Sequence, residues 1–408
     1  MDPFKRFPVE IVLLILSFVT DFVGLESLIL SSPWVRAVFE AHPRQIILSI
    51  VRLNPITAMS EIQAQLWRSA LIHRPSIHCG DLDSYLRLCP DTRTGPYLHL
   101  APVTDALPER TSVDQIFHLI KVAAKIQRLA CRCLFIMHRN FISAVGDAFG
   151  PTSARRAGEP IVWLEEYRVY WALWQLENYA ALCKAAKSRW NWSSASLSRL
   201  RDASNIDRTI IPLSEHIWSV AAVLESSGLQ CFYVFMPDDM FQEKVISQII
   251  LPIRFHSSNF WIPSPSSRQL LILTPRMFIR YGALLRSQMD GRKPKLQGPR
   301  YRFDLSPAAS MYHRHRDMIL ELRRFNYAKE LGSPQPFRLT GVMVWNLWRM
   351  YSVGLFTIRF EGTKRTPIGD IEQCTQLSSR DFIQRWLALI GKHCHSLENE
   401  SVRSVDPH

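Results

Sequence analysis

Between Val9 and Val19 nine of eleven residues are apolar, and only Glu10 and Ser17 interrupt the run. Pro8 stands at its start, where a helix loses nothing by a missing N–H, so the sequence predicts a helix over 8–19. Ile11, Leu14, Ile15 and Phe18 recur at i, i+3, i+4 and i+7 on one face. Val12, Leu13, Leu16 and Val19 cover the remaining faces. A helix that is apolar all round has to be covered all round. The next short helical pieces, Leu25–Ser31 and Trp34–Ala41, are punctuated by Gly24 and Pro33. A unit of about 40 residues does not sustain such a core alone. Either the rest of this chain or another protein must close over the helix.

The rest of the chain is long enough to offer that cover. It has 408 residues, 47% of them apolar and 21% charged, a globular mix that excludes a wholly disordered chain. No apolar stretch reaches the roughly 18 residues of a membrane span, so no membrane partner is expected. Helical signals dominate. Ser60 with Gln63 and Ser112 with Gln115 have capping-box spacing, predicting helices from 60 to about 73 and from 112 to 149. The second is long, and a break is expected near Met137 or Asn140. Residues 74–110 read as loop from their seven Pro and Gly, and Gly150–Pro160 as a break. Ile161–Arg189 is helical and aromatic, and the Ser-rich 188–204 is a solvated loop. Further helices are expected near 213–226, 238–251, 275–289, 307–330 and 381–395, with loop at 256–268. Val342–Tyr351 and Leu355–Phe360 read as strands.

The net charge of +13 is unevenly spread. Residues 254–330 carry 15 basic and five acidic residues, whereas residues 1–53 balance at five of each. Within 276–329, Arg292, Lys293, Lys295, Arg300, Arg302, Arg314, Arg316, Arg323 and Arg324 alternate with aromatics such as Tyr301 and Phe325. Such interleaving can neutralise phosphates and stack bases, or dock an acidic protein; equally, it can be a solvated face paired with acids elsewhere. The solvated face is the plainer reading, with nucleic acid behind it.

The eight cysteines show no framework spacing, which fits a reducing compartment. Lys5 and Arg6 precede the apolar run in signal-peptide fashion, but Pro8 and Glu10 interrupt it and no A-x-A site comes after it. A cytoplasmic or nuclear location is expected, where the sequons at Asn191 and Asn399 would go unmodified.

No phosphate-cradling glycine loop, nucleophile elbow, C-x-x-C or H-E-x-x-H occurs. Cys131 and Cys133 are two apart and diverge on a helix, so neither they nor His393-Cys394-His395 make a metal site. Glu165-Glu166 and Asp238-Asp239 suit helix N-termini without forming a facing acid/base pair. Neither an enzyme, a metal nor a cofactor is expected.

The segment Phe7-Pro8-Val9-Glu10-Ile11 through Phe18-Val19 resembles the opening of an F-box. Leu25-Glu26-Ser27-Leu28 resembles its second helix, and Ser31 to Phe39 the third helix of F-box-like domains common in fungal proteins. Residues 42–52 and the aromatic helix around Glu165–Leu182 are similar to the segments downstream of the box in those proteins. Phe7 stands where the motif has Leu, and Pro33 where it usually has a polar or basic residue. The resemblance implies a three-helix module in residues 1–53 that docks on a Skp-family adaptor and, through it, a cullin-type ubiquitin ligase. The residues it marks for that surface are Pro8, Ile11, Ile15, Leu16, Leu25, Leu28, Trp34 and Phe39. A region of unknown specificity, 54–408, would hold an unknown protein target, with sub-boundaries near 190–212 and 255–268. The expected fold is thus mainly α: an F-box-like module, a large irregular helical region, and a small β element near 342–360. The alternative is a non-enzymatic basic helical protein that binds nucleic acid or an acidic partner through 276–329, its N-terminal helix being ordinary core.

Overall fold

A computed structural model describes residues 2–54, 56–58, 60–89, 107–108, 111–201, 211–227, 335–345, 347–355, 385, 386, 388 and 389. Among the described residues all regular structure is helical. A 3-10 turn, Pro3–Arg6, precedes α1 (Val9–Phe18), α2 (Phe22–Ser31), α3 (Pro33–Ala41), α4 (Pro43–Leu53), α5 (Ser60–Ile72) and α6 (Leu82–Leu88). Then come α7 (Val113–Phe149), α8 (Pro151–Ala157), α9 (Trp163–Ser188), α10 (Ser194–Arg201), α11 (Ile211–Ser226), α12 (Gln335–Leu339) and α13 (Leu347–Ser352). The described residues fall into two compact units. One holds the described residues of 2–132 and 170–201, the other those of 133–169, 211–227, 335–355 and 385–389.

In the first unit, local chemistry starts each short helix. Asp21 accepts from the Gly24 N–H at 2.7 Å and Ser32 from the Val35 N–H at 3.0 Å, satisfying donors that a helix cannot satisfy itself. Pro33 and Pro43 occupy the first turns of α3 and α4, where φ is already set. Helices α1, α3 and α4 pack on one another and α2 on α3. Val12, Leu16, Phe22, Leu25, Ile29, Val35, Phe39, Ile46 and Ile50 form the shared core. That core continues past residue 53. Phe39 meets Phe117 of α7 edge-on at 5.8 Å. The Gln127 side-chain oxygen accepts from the N–H groups of Phe22 and Val23 at 3.1 and 3.3 Å.

A second cluster gathers Leu71, Tyr85, Tyr179, Leu182, Trp190 and Trp192. It corrects two expectations. The stretch 74–110 holds a helix, α6, capped by Asp81, which accepts from the Ser84 N–H at 2.7 Å. Of the stretch 188–204, the described residues 188–201 are not a solvated loop. Trp190 and Trp192 stack at 5.7 Å and donate their indole N–H groups to the Ile77 and Cys79 carbonyls, and α10 comes next. The serines suggest a loop, but burying two indoles outweighs them.

The capping box at Ser112 and Gln115 forms reciprocally, at 2.9 and 3.3 Å. Helix α7 then runs 37 residues without the expected break. Met137, Phe141 and Val145 are each fully buried, so one apolar stripe continues at helical spacing. Asn140 donates to the Leu339 carbonyl at 3.0 Å instead of competing for its own backbone. Gly150, at φ +84°, ends α7, and the expected break contains the short α8.

In the second unit, α11 packs on α12 and α8 on α13. The expected strand Val342–Tyr351 is a tight turn followed by α13. Val342, Met343, Val344 and Trp345 are all fully buried, so they lack the alternation of a half-exposed strand. Gly341 makes the turn possible. At φ +69°, a Cβ there would lie 2.8 Å from both Met137 and Trp345. Leu355 lies in a bend, and residues 356–360 of the second expected strand lie outside the described residues. So do the helices expected at 238–251, 275–289 and 307–330 and the loop at 256–268; of 381–395, Arg385, Trp386, Ala388 and Leu389 are described and helical.

Arg349 of α13 is the polar hub of this unit. It pairs with Glu165 through two contacts of 2.9 Å and donates to the Ala157, Glu159 and Pro160 carbonyls at 2.8–2.9 Å. Removing one partner of a buried pair leaves a bare charge, which costs about 3–5 kcal/mol. Arg349→Met is therefore expected to lower unfolding stability by about that amount in urea titration. In the first unit, Gln127→Leu strands two N–H groups of α2 and is expected to cost about 1–3 kcal/mol in the same measurement.

Candidate docking surface

Helix α1 is not covered all round. Its Val12 and Leu16 face is fully buried, while Ile11, Leu14 and Phe18 are 42%, 52% and 69% exposed and Ile15 is half-buried between them. The i, i+3, i+4, i+7 face of the sequence is therefore the open one. Phe7 and Val9 precede it and are also exposed. At the far end, Asn54 donates to the Thr20 carbonyl at 2.9 Å, which brings the exposed end of α4 with Leu53 beside the end of α1.

The start of this surface is fixed by a side-chain strap. Asp2 accepts from Ser32 Oγ at 2.7 Å and from the Trp34 N–H at 3.2 Å, and the Phe7 carbonyl accepts from the Trp34 indole at 3.2 Å. The hydrogen bond from Ser32 holds the Asp2 carboxyl below the usual range. The chain leading into α1 is thereby tied to the head of α3.

The eight residues marked by the resemblance divide by burial. Pro8 and Ile11 are exposed, and Ile15, Leu28 and Trp34 are half-buried. Leu16, Leu25 and Phe39 are fully buried in the core of their own unit, so they support the surface without belonging to it. Leu14 and Phe18 belong to the open face although the resemblance does not mark them; their spacing with Ile11 and Ile15 is the signal that places them there. Leu30, 65% exposed at the end of α2, carries no such signal in the sequence. The basic residues Arg292, Lys293, Lys295, Arg300, Arg302, Arg314, Arg316, Arg323 and Arg324 all lie outside the described residues.

The paired acids of α9 serve packing rather than a cleft. Glu165 is fully buried and bound to Arg349, and it also accepts from the Val162 N–H at 3.1 Å. Glu166 is buried with one oxygen unpartnered. Burial, then the neighbouring Glu165, pushes its carboxyl up to about 8. Among the described residues no group of three His, Cys, Asp or Glu could hold a metal, and Cys131 and Cys133 are buried.

No family model, curated protein or solved structure matches the chain. The functional reading therefore rests on residues and geometry.

The raised Glu166 carboxyl gives a signed expectation. It is protonated in the folded chain over a range in which the unfolded chain has released the proton. Its contribution to stability is thus full below the ordinary glutamate value and lost as pH rises towards about 8. Glu166→Gln is expected to flatten the fall in melting temperature across that window, measured by circular dichroism at a series of pH values. An unchanged pH profile would mean that Glu166 is ionised in the fold.

Proposed function

We propose that this chain is an F-box-like adaptor that docks a Skp-family protein through the open face of α1 and recruits a protein target to a cullin-type ubiquitin ligase. One observation carries the reading: Ile11, Leu14, Ile15 and Phe18 form a stripe that stays in water while the opposite stripe of the same helix is buried. A monomer gains nothing by exposing such a stripe, and contiguous exposed apolar patches mark interaction sites. Each of these side chains contributes about 1.5–3 kcal/mol when fully buried, so an apolar groove on a partner would bind this face as other grooves bind amphipathic helices. The F-box resemblance of Phe7–Phe39 supplies the partner's identity. Such a subunit works by proximity, holding a target beside a charged ligase, and needs no catalytic side chains of its own. The alternative, binding of nucleic acid or an acidic partner through 276–329, is supported by charge alone.

The full chain is expected to bind a purified Skp-family adaptor, and Leu14→Asp with Phe18→Asp to weaken that binding at least about tenfold. Both side chains are exposed, so the circular-dichroism melt of the variant should match the parent. Ile11→Asp with Ile15→Asp should weaken binding likewise, with a lower melting temperature because Ile15 is half-buried. No binding by the parent chain refutes the reading. So does self-association in sedimentation that disappears in the variant, since the face would then be closed by a second copy.

A further inference from the structure

A second exposed surface of the first unit is built from charge. His73 directly succeeds α5, and its ring lies 4.3 Å, centroid to centroid, from the ring of His118 on α7. His118, Lys121 and Lys125 recur at i, i+3 and i+7, one face of a helix over about 10 Å. On α9, Glu177 and Lys184 are likewise seven apart, and Lys125 pairs with Glu177 at 2.7 Å. The Arg189 guanidinium, just past α9, donates to the Ile72 carbonyl beside His73. Three segments are thus drawn to one corner by three separate contacts.

The charge at this corner is unbalanced. The ionised groups facing the two imidazoles are Lys121 and Lys125 of α7, Glu177 and Lys184 of α9, and Arg189. Lys125 and Glu177 neutralise each other. Lys121, Lys184 and Arg189 have no carboxylate partner among the described residues. Lys121 instead lies over the Phe117 ring at 5.4 Å, and Arg189 over the Trp190 ring at 4.9 Å. His118, Lys121 and Lys184 are exposed.

We propose that this corner binds an acidic polypeptide segment, whose carboxylates or phosphoryl groups sit among Lys121, Lys184 and Arg189 over the tilted His73–His118 ring pair. Its size favours a peptide over nucleic acid: the cations span roughly two helical turns, and Glu177 sits among them, where it would repel an unbroken phosphate backbone. A peptide can place separate anions on either side of it. The site stands whether or not α1 docks an adaptor; under that reading, the segment belongs to the recruited target.

The imidazoles add pH control. His73 Nδ1 donates to the Ser69 carbonyl at 2.8 Å, so its Nε2 is the nitrogen left to gain a proton. Burial first, then at His118 the adjacent His73 ring, and then the surrounding cations, hold both rings below the ordinary histidine range, against the opposing pull of Glu177 and, at His73, of the Ser69 carbonyl. A bound anion reverses that balance, and protonated rings become donors to it. Binding therefore takes up protons and tightens as pH falls.

The test uses the full chain and a fluorescein-labelled peptide of about a dozen residues alternating Glu and Gly, alongside its phosphoserine counterpart and its Gln counterpart. Anisotropy at about 0.01 M salt, where exposed charges act over about 30 Å, should show binding of both acidic peptides and not of the Gln peptide. Lys121→Glu with Lys184→Glu should weaken it at least about tenfold, while Arg52→Glu, an exposed cation of α4, should change it less than about twofold. His73→Gln with His118→Gln should abolish the tightening between about pH 7.5 and pH 6. No binding by the parent chain, equal loss in Arg52→Glu, or stronger binding of duplex DNA would each overturn the proposal. Adaptor binding is read in a separate assay with its own variants, so failure of one proposal is distinguishable from failure of the other.

Discussion

A helix begins with N–H groups that its own turns cannot satisfy, and α2 begins inside the protein. Asp21 satisfies one of these groups locally, but those of Phe22 and Val23 point to a carboxamide more than a hundred residues away, on Gln127 of α7. Phe22 is buried, so no water can replace that oxygen cheaply. The arrangement of the N-terminal helices depends on this bond. With α2 held at its head by α7, and Phe39 of α3 set edge-on against Phe117, one side of the helical group is taken by the rest of its own unit. Only one stripe of α1 is left to face outwards. The sidedness of α1 is set by α3 and α4 packing on it, while α7 holds the head of α2 from more than a hundred residues away and meets α3 through Phe39.

This explains which parts of the architecture are legible in the sequence. Local chemistry is legible at several points: the Ser112–Gln115 box, the proline opening α3, the end of α7 at Gly150, and the i, i+3, i+4, i+7 grouping on α1. Sidedness is not. Val12 and Ile11 are equally apolar, and only the positions of α3 and α4 make one core and the other surface. The same limit accounts for Leu16, Leu25 and Phe39, which suit a docking surface by type and are buried by context. Residues 342–345 mislead for a related reason. A run of Val, Met, Val and Trp fits a strand by propensity, yet Gly341 turns the chain so tightly that all four go inward.

Polar residues obey the same logic in the second unit. Glu165 and Glu166 sit in the first turn of α9, where acids suit the helix dipole. Their fates diverge through partners that a local reading cannot supply. Arg349 of α13 meets both oxygens of Glu165, while Glu166 finds no partner for one oxygen and keeps its proton. Two adjacent acids, one ion-paired and the other with its carboxyl pushed up to about 8, could be mistaken for an acid/base pair. Here one is a clamp on the α8–α9 connection and the other is a neutral group in a packed interior.

The two open surfaces of the first unit obey different physics, and this bears on how an adaptor could use them. An apolar stripe gains its affinity from area removed from water, so it responds weakly to salt and governs how long a partner stays. A cationic corner acts at a distance, responds steeply to salt, and governs how often a partner arrives. Under the function proposed above, the chain would remain in a ligase while exchanging targets, which needs slow release on one side and fast exchange on the other. The exposed stripe of α1 has the composition for the first requirement. The corner at His73 and His118 has the charge for the second, with a proton-linked pair that sets its strength.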